Sequence, residues 1–136
     1  MNCHSKILLV IASLFAASSI MLASIGAHIA ADLLSTGQLT DTFNKAVDYS
    51  YYNAITLMGI AVLCEFCINS NCKSRFHWAG YCIALGGFIF QTSLFLYTLA
   101  GMKWLTTLTP FGGILMISGW LAIGVFAVFA KKVDVR

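Results

Sequence analysis

The sequence predicts an all-α integral membrane protein, a four-helix bundle with both termini in the cytoplasm. Its composition, its long uncharged segments and its distribution of basic residues carry this prediction. Of 136 residues, 60% are hydrophobic even before the 11 glycines are counted, and only 10% are charged. A soluble chain of this length has too little interior to hide so much apolar surface. We therefore expect a single transmembrane domain over residues 1–136 and a lipid bilayer around it, and we expect no nucleic-acid partner.

Four segments are candidates for crossing the membrane, and three of them are clear. Residues 7–27 contain no charge, and at helical rise they cover about 32 Å, enough for a hydrocarbon core of about 30 Å. Residues 78–100 and 111–130 are likewise uncharged. The second segment is the weakest, because it begins with polar aromatic residues and carries Glu65 near its end. The predicted spans are about 7–28, 49–68, 77–100 and 110–130.

Residues 29–48, between the first two spans, are too polar to cross the bilayer. Leu39, Phe43 and Val47 recur there every four residues. This spacing predicts a short amphipathic helix that lies at the outer membrane surface and runs into the second span.

The basic residues predict the orientation. If both termini are cytoplasmic, six of the eight basic residues lie on the inner side, as the positive-inside rule requires. These six are Lys6, Lys73, Arg75, Lys131, Lys132 and Arg136, and the outer pair is Lys45 and Lys103. The five cysteines then lie at or near the cytoplasm, where thiols stay reduced, so we expect no structural disulfide.

Small residues recur at helical spacing along the spans. Lipid tails are as apolar as leucine, so transmembrane helices associate through close backbone approach and interhelical hydrogen bonds. The residues that we expect at these helix contacts are Ala16, Ser19, Ala23, Gly26, Gly80, Gly87, Gly112, Gly113 and Gly119.

Four short motifs in this order carry a family resemblance. They are Gly26-Ala27-His28, Phe43-x-x-Ala46-x-x-Tyr49, Thr109-Pro110-x-Gly112-Gly113 and Gly119-Trp120. Together they resemble the YgdD-type small inner-membrane proteins of bacteria, which group with the eukaryotic transmembrane protein 256. The resemblance implies a four-helix protein of the bacterial inner membrane whose biochemical role is unassigned. The chain departs from the family pattern at Asn53, where the family usually has a histidine.

Three polar residues within the spans are candidate interhelical or solute contacts. We place His28 and Asn53 at a similar depth near the outer side, where a hydrogen bond between them would join the first two spans. A ligand-binding or proton-handling role for His28 is the alternative. Gln91 lies near the middle of the bilayer, where an unpaired amide is costly. We expect it to bond another helix, and contact with a solute is the alternative.

Glu65 is the only acidic residue within a span. An intramembrane carboxylate is a functional candidate, but this one lies close enough to the inner surface to pair with Lys73 or Arg75. The pattern Cys64-x2-Cys67-x4-Cys72-x4-His77 supplies ligand types that suit zinc. We nevertheless expect no metal and no cofactor, because the first two cysteines fall in a helix that is partly in lipid.

The sequence contains no phosphate-binding loop, nucleophile elbow or zinc-protease motif. The sequence has many residues suited to helix packing and few that suit catalysis. This balance favours a non-enzymatic accessory or interaction component of the membrane, with a membrane-protein partner or a second copy of the chain. The alternative is a small-solute permease or channel lined by Gln91, Asn53 and His28. A third hypothesis is a membrane enzyme or metal protein that uses the cysteines.

Overall fold

The structure, a computed structural model, describes residues 2–28, 37–67 and 70–129, except for the side chain of His28. These ranges contain helices and no strand, so the predicted all-α fold with four long helices is confirmed. The helices are α1 (Cys3–His28), α2 (Gly37–Phe66), α3 (Ser70–Ala100) and α4 (Thr109–Phe129), with a short 3-10 helix (Lys103–Thr107) between α3 and α4.

Consecutive helices run antiparallel. Gly26 near the end of α1 faces Phe43 near the start of α2, and the carbonyl of Phe15 faces Ser50 further along. Contacts of the same kind show that α2 and α3 are antiparallel to each other, and that α3 and α4 are as well. The start of α1 and the end of α4 therefore lie at the same end of an up-and-down bundle.

The first three helices share the main core. Leu8 of α1, Leu57 and Ile60 of α2 and Ile83 of α3 are each at most 2% exposed and belong to one apolar cluster. The fourth helix packs mainly against α3, so it lies beside this core and not inside it. The result is a three-helix core with α4 attached along one side.

The helix α2 is the least apolar of the four. The segments long and apolar enough to cross a membrane are Cys3–Ala27, Ser70–Ala100 and Lys103–Phe129, so α2 is not among them. Its uncharged stretch between Asp48 and Glu65 covers only about 24 Å at helical rise. The same helix has ten buried residues spread along its length. Its buried polar residues, Ser50 and Asn53, lie between helices, which is where polar residues are tolerated within a membrane.

The structure changes the interpretation of the apolar stripe in the connector. Residues 37–48 are helical and run into the second span, as predicted, and they form one continuous helix with it. Phe43 is 1% exposed and, with Val47, packs against Leu22 of α1 and Phe95 of α3. The apolar stripe that we read as a surface-seeking face therefore faces two neighbouring helices. The part of the connector at 29–36 lies outside the described residues.

Candidate functional site

A layer of polar side chains crosses the bundle between α2 and α3. Ser50 and Asn53 on α2 and Gln91 on α3 are all nearly inaccessible. The Ser50 hydroxyl donates a hydrogen bond to Oε1 of Gln91 at 2.9 Å, and it lies 3.5 Å from the carbonyl oxygen of Phe15 on α1. Ser50 therefore stands where three helices meet. Sequence reasoning missed it, although its position three residues before Asn53 places both on one helix face.

Asn53 links α2 to the fourth helix. Its Nδ2 donates to the sulfur of Met116 at 3.2 Å. On the α3 side Gly87 faces this amide, and a Cβ added to Gly87 would collide with Nδ2. The glycine thus leaves the space that the asparagine side chain occupies.

The predicted hydrogen bond between His28 and Asn53 does not fit the register of the helices. The His28 side chain lies outside the described residues, but Gly26, two positions earlier, packs on Phe43. Asn53 lies ten residues further along α2 than Phe43, which is about 15 Å of helix. The two residues are therefore not at the same depth, because α2 begins well before the predicted start of its span.

The Gln91 amide has a donor that its neighbours do not use. Its Nε2 is buried and has no hydrogen-bond partner among the residues that the structure describes. A buried donor without a partner costs about 1–3 kcal/mol. The amide can meet this need by turning 180°, which presents its NH2 to the Ser50 oxygen, or by binding an acceptor from outside the chain. The polar layer is therefore the place where a solute would find a free donor.

Removing the Ser50 hydroxyl tests this layer. We expect Ser50→Ala to lower the free energy of unfolding in detergent micelles by about 1–2 kcal/mol, because Oε1 of Gln91 loses its donor. The double variant with Gln91→Leu should lose less than the sum of the two single variants, since neither polar partner then remains. Ser24→Ala is the matched control, because that exposed hydroxyl bonds only Ile20 of its own helix. Additive losses would contradict the pairing.

A second polar group, the N-terminal cluster, comprises His4, Ser5, His77 and Tyr81. Nδ1 of His4 lies 2.9 Å from the Tyr81 hydroxyl, and the Ser5 hydroxyl lies 3.1 Å from Nε2 of His77. The two imidazole centroids are 5.3 Å apart. These residues join the start of α1 to the first turns of α3, beside an open cavity of about 810 Å³ that Lys73 also lines. Sequence reasoning considered only His77, although His77 and Tyr81 are four residues apart on one face of α3.

Glu65 lies at the same end of the bundle. The backbone N–H of Asn2 donates to its Oε1 at 3.2 Å. The expected pairing of this carboxylate with Lys73 or Arg75 stays a prediction, and the Arg75 guanidinium lies over the ring of Phe126, 5.9 Å from the centroid. The carboxylate thus fastens the start of α1 to the end of α2.

The structure brings only some residues of the cysteine pattern close together. Sγ of Cys67 lies 2.7 Å from Sγ of Cys72, while the Cys64 thiol donates to the backbone carbonyl of Lys73 at 3.9 Å. His77 bonds Ser5, as described above. In the ranges 2–28, 37–67 and 70–129, no three His, Cys, Asp or Glu side chains are arranged to hold a metal ion.

Some of the residues predicted to pack between helices make close contacts with another helix, and others lie partly at the surface. Five of the glycines face another helix so closely that an added Cβ would lie within 3 Å of it; these are Gly26, Gly80, Gly87, Gly112 and Gly119. Ser19 is buried, but its hydroxyl bonds the Phe15 carbonyl of its own helix. Ala16 is half-buried, and Gly113 is in ordinary van der Waals contact with the Phe90 ring.

Ala23 and Gly86 differ from the predicted packing. Ala23 is exposed, although Ser19 before it in the stripe is buried and Gly26 after it faces Phe43 of α2. Gly86, which the sequence did not single out, lies at a close backbone contact between α3 and α4. A Cβ built on it would lie 2.7 Å from both the Gly112 carbonyl oxygen and the Met116 nitrogen. Backbones approach this closely only where no side chain intervenes.

The chain matches a known group of membrane proteins over most of its length. A family model described as "Protein of unknown function (DUF423)" matches residues 22–113. The chain belongs to this family. The DUF423 match covers the end of α1, all of α2 and α3, and the start of α4. The resemblance to YgdD-type proteins is thereby confirmed.

Curated relatives are of similar length. The "UPF0382 membrane protein SAB0533" of Staphylococcus aureus is 31% identical over 118 residues, covering 87% of this chain and 92% of the relative. The "UPF0382 inner membrane protein YgdD" of Escherichia coli K12 is 24% identical over 128 residues, covering 94% of each chain. No solved structure matches the chain. The DUF423 chain is thus a multi-pass protein of the bacterial inner membrane.

Proposed function

We propose that the protein is a non-enzymatic accessory component of the inner membrane that acts by binding another membrane protein through its fourth helix. The polar layer and the glycines described above are engaged in contacts between the chain's own helices. The groove between α2 and α4 is the observation that carries the proposal, because it combines an uncovered helix face with aromatic side chains.

The fourth helix leaves most of its surface free. Its buried residues are Gly112, Met116 and Gly119, all on the side that faces α3. The rest of its surface carries large apolar side chains that are between 49% and 80% exposed: Phe111, Ile114, Ile117, Trp120, Leu121, Val125, Val128 and Phe129. A helix that is attached along one narrow strip has more surface to offer a partner helix than a helix in the core.

The groove beside this surface is narrow and aromatic. It has a volume of about 330 Å³, and Tyr49, Tyr52, Ile117 and Trp120 line it. Tyrosine and tryptophan are over-represented at the energetic centres of protein interfaces, because they supply large rigid contact area together with one polar group. A transmembrane helix of a partner, or of a second copy of the chain, would bury these rings against its own side chains.

Photo-crosslinking from the groove tests the proposal in native membranes. We expect a photoreactive phenylalanine analogue at Ile117 to give a discrete protein adduct on irradiation. The same probe at Val10 should give lipid adducts only. Val10 is the matched control, since the two side chains are 61% and 59% exposed and lie on different helices. Lipid adducts alone at both positions would overturn the proposal.

A small-solute permease is the second candidate, and the free Nε2 donor of Gln91 favours it. In that case reconstituted vesicles should take up a small hydrogen-bonding solute such as glycerol, and Gln91→Leu should abolish uptake while the variant stays folded. Equal uptake by protein-free vesicles would remove this candidate.

We also propose that both termini face the cytoplasm, because Lys6, Lys73 and Arg75 lie at the end of the bundle where α1 begins. Cys3 is exposed at that end. It should react with a membrane-impermeant maleimide in inverted vesicles and not in right-side-out vesicles; the reverse result would contradict this orientation.

A further inference from the structure

Two thiols lie close together where α2 ends and α3 begins. Cys67 is the first residue after α2, and Cys72 is the third residue of α3. Their sulfur atoms lie 2.7 Å apart, and both side chains are half-buried and therefore partly accessible. Cys64 differs, because it is fully buried in the core.

We propose that Cys67 and Cys72 form a redox-modification site, a dithiol that exchanges with small-molecule disulfides to give an intramolecular disulfide. Cys72 gives its proton to water, and its thiolate attacks one sulfur of the small disulfide, so that S–S bond breaks, a mixed disulfide forms and one small thiolate leaves. That thiolate takes the proton of Cys67, whose sulfur then attacks Sγ of Cys72 and releases the second small thiolate, which takes a proton from water. The chain loses two electrons and two protons, and the small disulfide is reduced to two thiols.

The surroundings assign the roles of the two cysteines. Cys72 lies in the first turn of a 31-residue helix, whose N-terminus carries a partial positive charge. Lys73 follows directly, and its backbone carbonyl accepts a hydrogen bond from the Cys64 thiol at 3.9 Å. Cys67 lies beyond the end of α2 and is within reach to donate its S–H to Cys72. Cys72 is therefore the attacking sulfur, and Cys67 resolves the mixed disulfide.

The disulfide would link the two helices covalently through residues five apart in the sequence. It would fix the end of α2 to the start of α3, next to Lys73 and the N-terminal cluster. A reducing cytoplasm returns the pair to thiols. Such a reversible bond is consistent with the expectation of no permanent disulfide.

Mass spectrometry of the full chain in detergent micelles tests the site. The chain carries Cys3→Ser, because Cys3 is exposed and would react by itself. After incubation with oxidised glutathione, unfolding in sodium dodecyl sulfate and alkylation with N-ethylmaleimide, two of the four remaining thiols should escape alkylation. A peptide linking Cys67 to Cys72 should appear, and dithiothreitol should restore both thiols.

Single variants separate this route from general oxidation. Cys67→Ser should accumulate glutathione on residue 72, because the resolving thiol is missing. Cys72→Ser should form no intramolecular disulfide. Cys82→Ser, a change at a half-buried cysteine on α3, should behave like the parent. Four alkylated thiols after oxidation, a disulfide that joins another pair, or glutathione trapped on residue 67 in preference to residue 72 would each overturn the proposal.

Discussion

Gly112→Ile is expected to lower the free energy of unfolding by about 3 kcal/mol, through overpacking at the contact between α3 and α4. A Cβ at this position would lie 2.7 Å from the Phe90 nitrogen and 2.8 Å from the Gly86 carbonyl oxygen. Both obstacles are backbone atoms, so no side-chain rotation can relieve the clash. The two helices must move apart, and the contacts along their whole interface weaken with them. Unfolding of the purified protein in mixed micelles by a denaturing detergent measures the loss.

Gly124→Ile on the same helix is the matched control. Nothing lies within 4 Å of a Cβ added there. The same change of residue should therefore alter stability by less than about 0.5 kcal/mol, as expected for a surface position. Similar losses at both positions would mean that the effect comes from helix propensity or insertion, and the tight contact between α3 and α4 would be refuted.

The contact at Gly112 shows what the sequence predicts well and what it leaves open. Small residues at helical spacing marked Gly112 and Gly119, because close helix contacts in lipid need them. Gly86 and Gly87 are adjacent, so they point about 100° apart around α3. The sequence marked the one that faces α2 and missed the one that faces α4. Spacing reveals a face that packs but does not identify the helix that covers it.

The polar layer shows a similar limit. Gln91 and Asn53 stood out by residue type and depth, but their partners depend on helix register. Because α2 begins at Gly37, Phe43 faces Gly26 of α1. His28 therefore lies far from Asn53 along the bundle. The N-terminal cluster was even harder to predict from the sequence, because His4 and Tyr81 are in contact but lie 77 positions apart in the chain. Local periodicity contains no information about such a contact.

The start of α2 can be tested through the residue that anchors it. Phe43 is 1% exposed, faces Gly26 of α1 and stacks edge-on against Phe95 of α3, with centroids 5.4 Å apart. We expect Phe43→Ala to lower the free energy of unfolding by about 3 kcal/mol, because it leaves a cavity where three helices meet. Hydrogen exchange should show the accompanying change, with lower protection of residues 37–48 than in the parent protein.

Phe111→Ala provides the comparison, since the Phe111 side chain is 64% exposed and leaves no cavity when it is shortened. If the first part of α2 instead lay on the membrane surface, Phe43 would contribute to membrane binding and little to the contacts between helices. The two alanine variants would then unfold at similar denaturant concentrations. A loss confined to Phe43→Ala, together with local exchange at 37–48, separates burial in the bundle from adsorption to lipid, because lipid adsorption cannot couple Phe43 to the stability of α1 and α3.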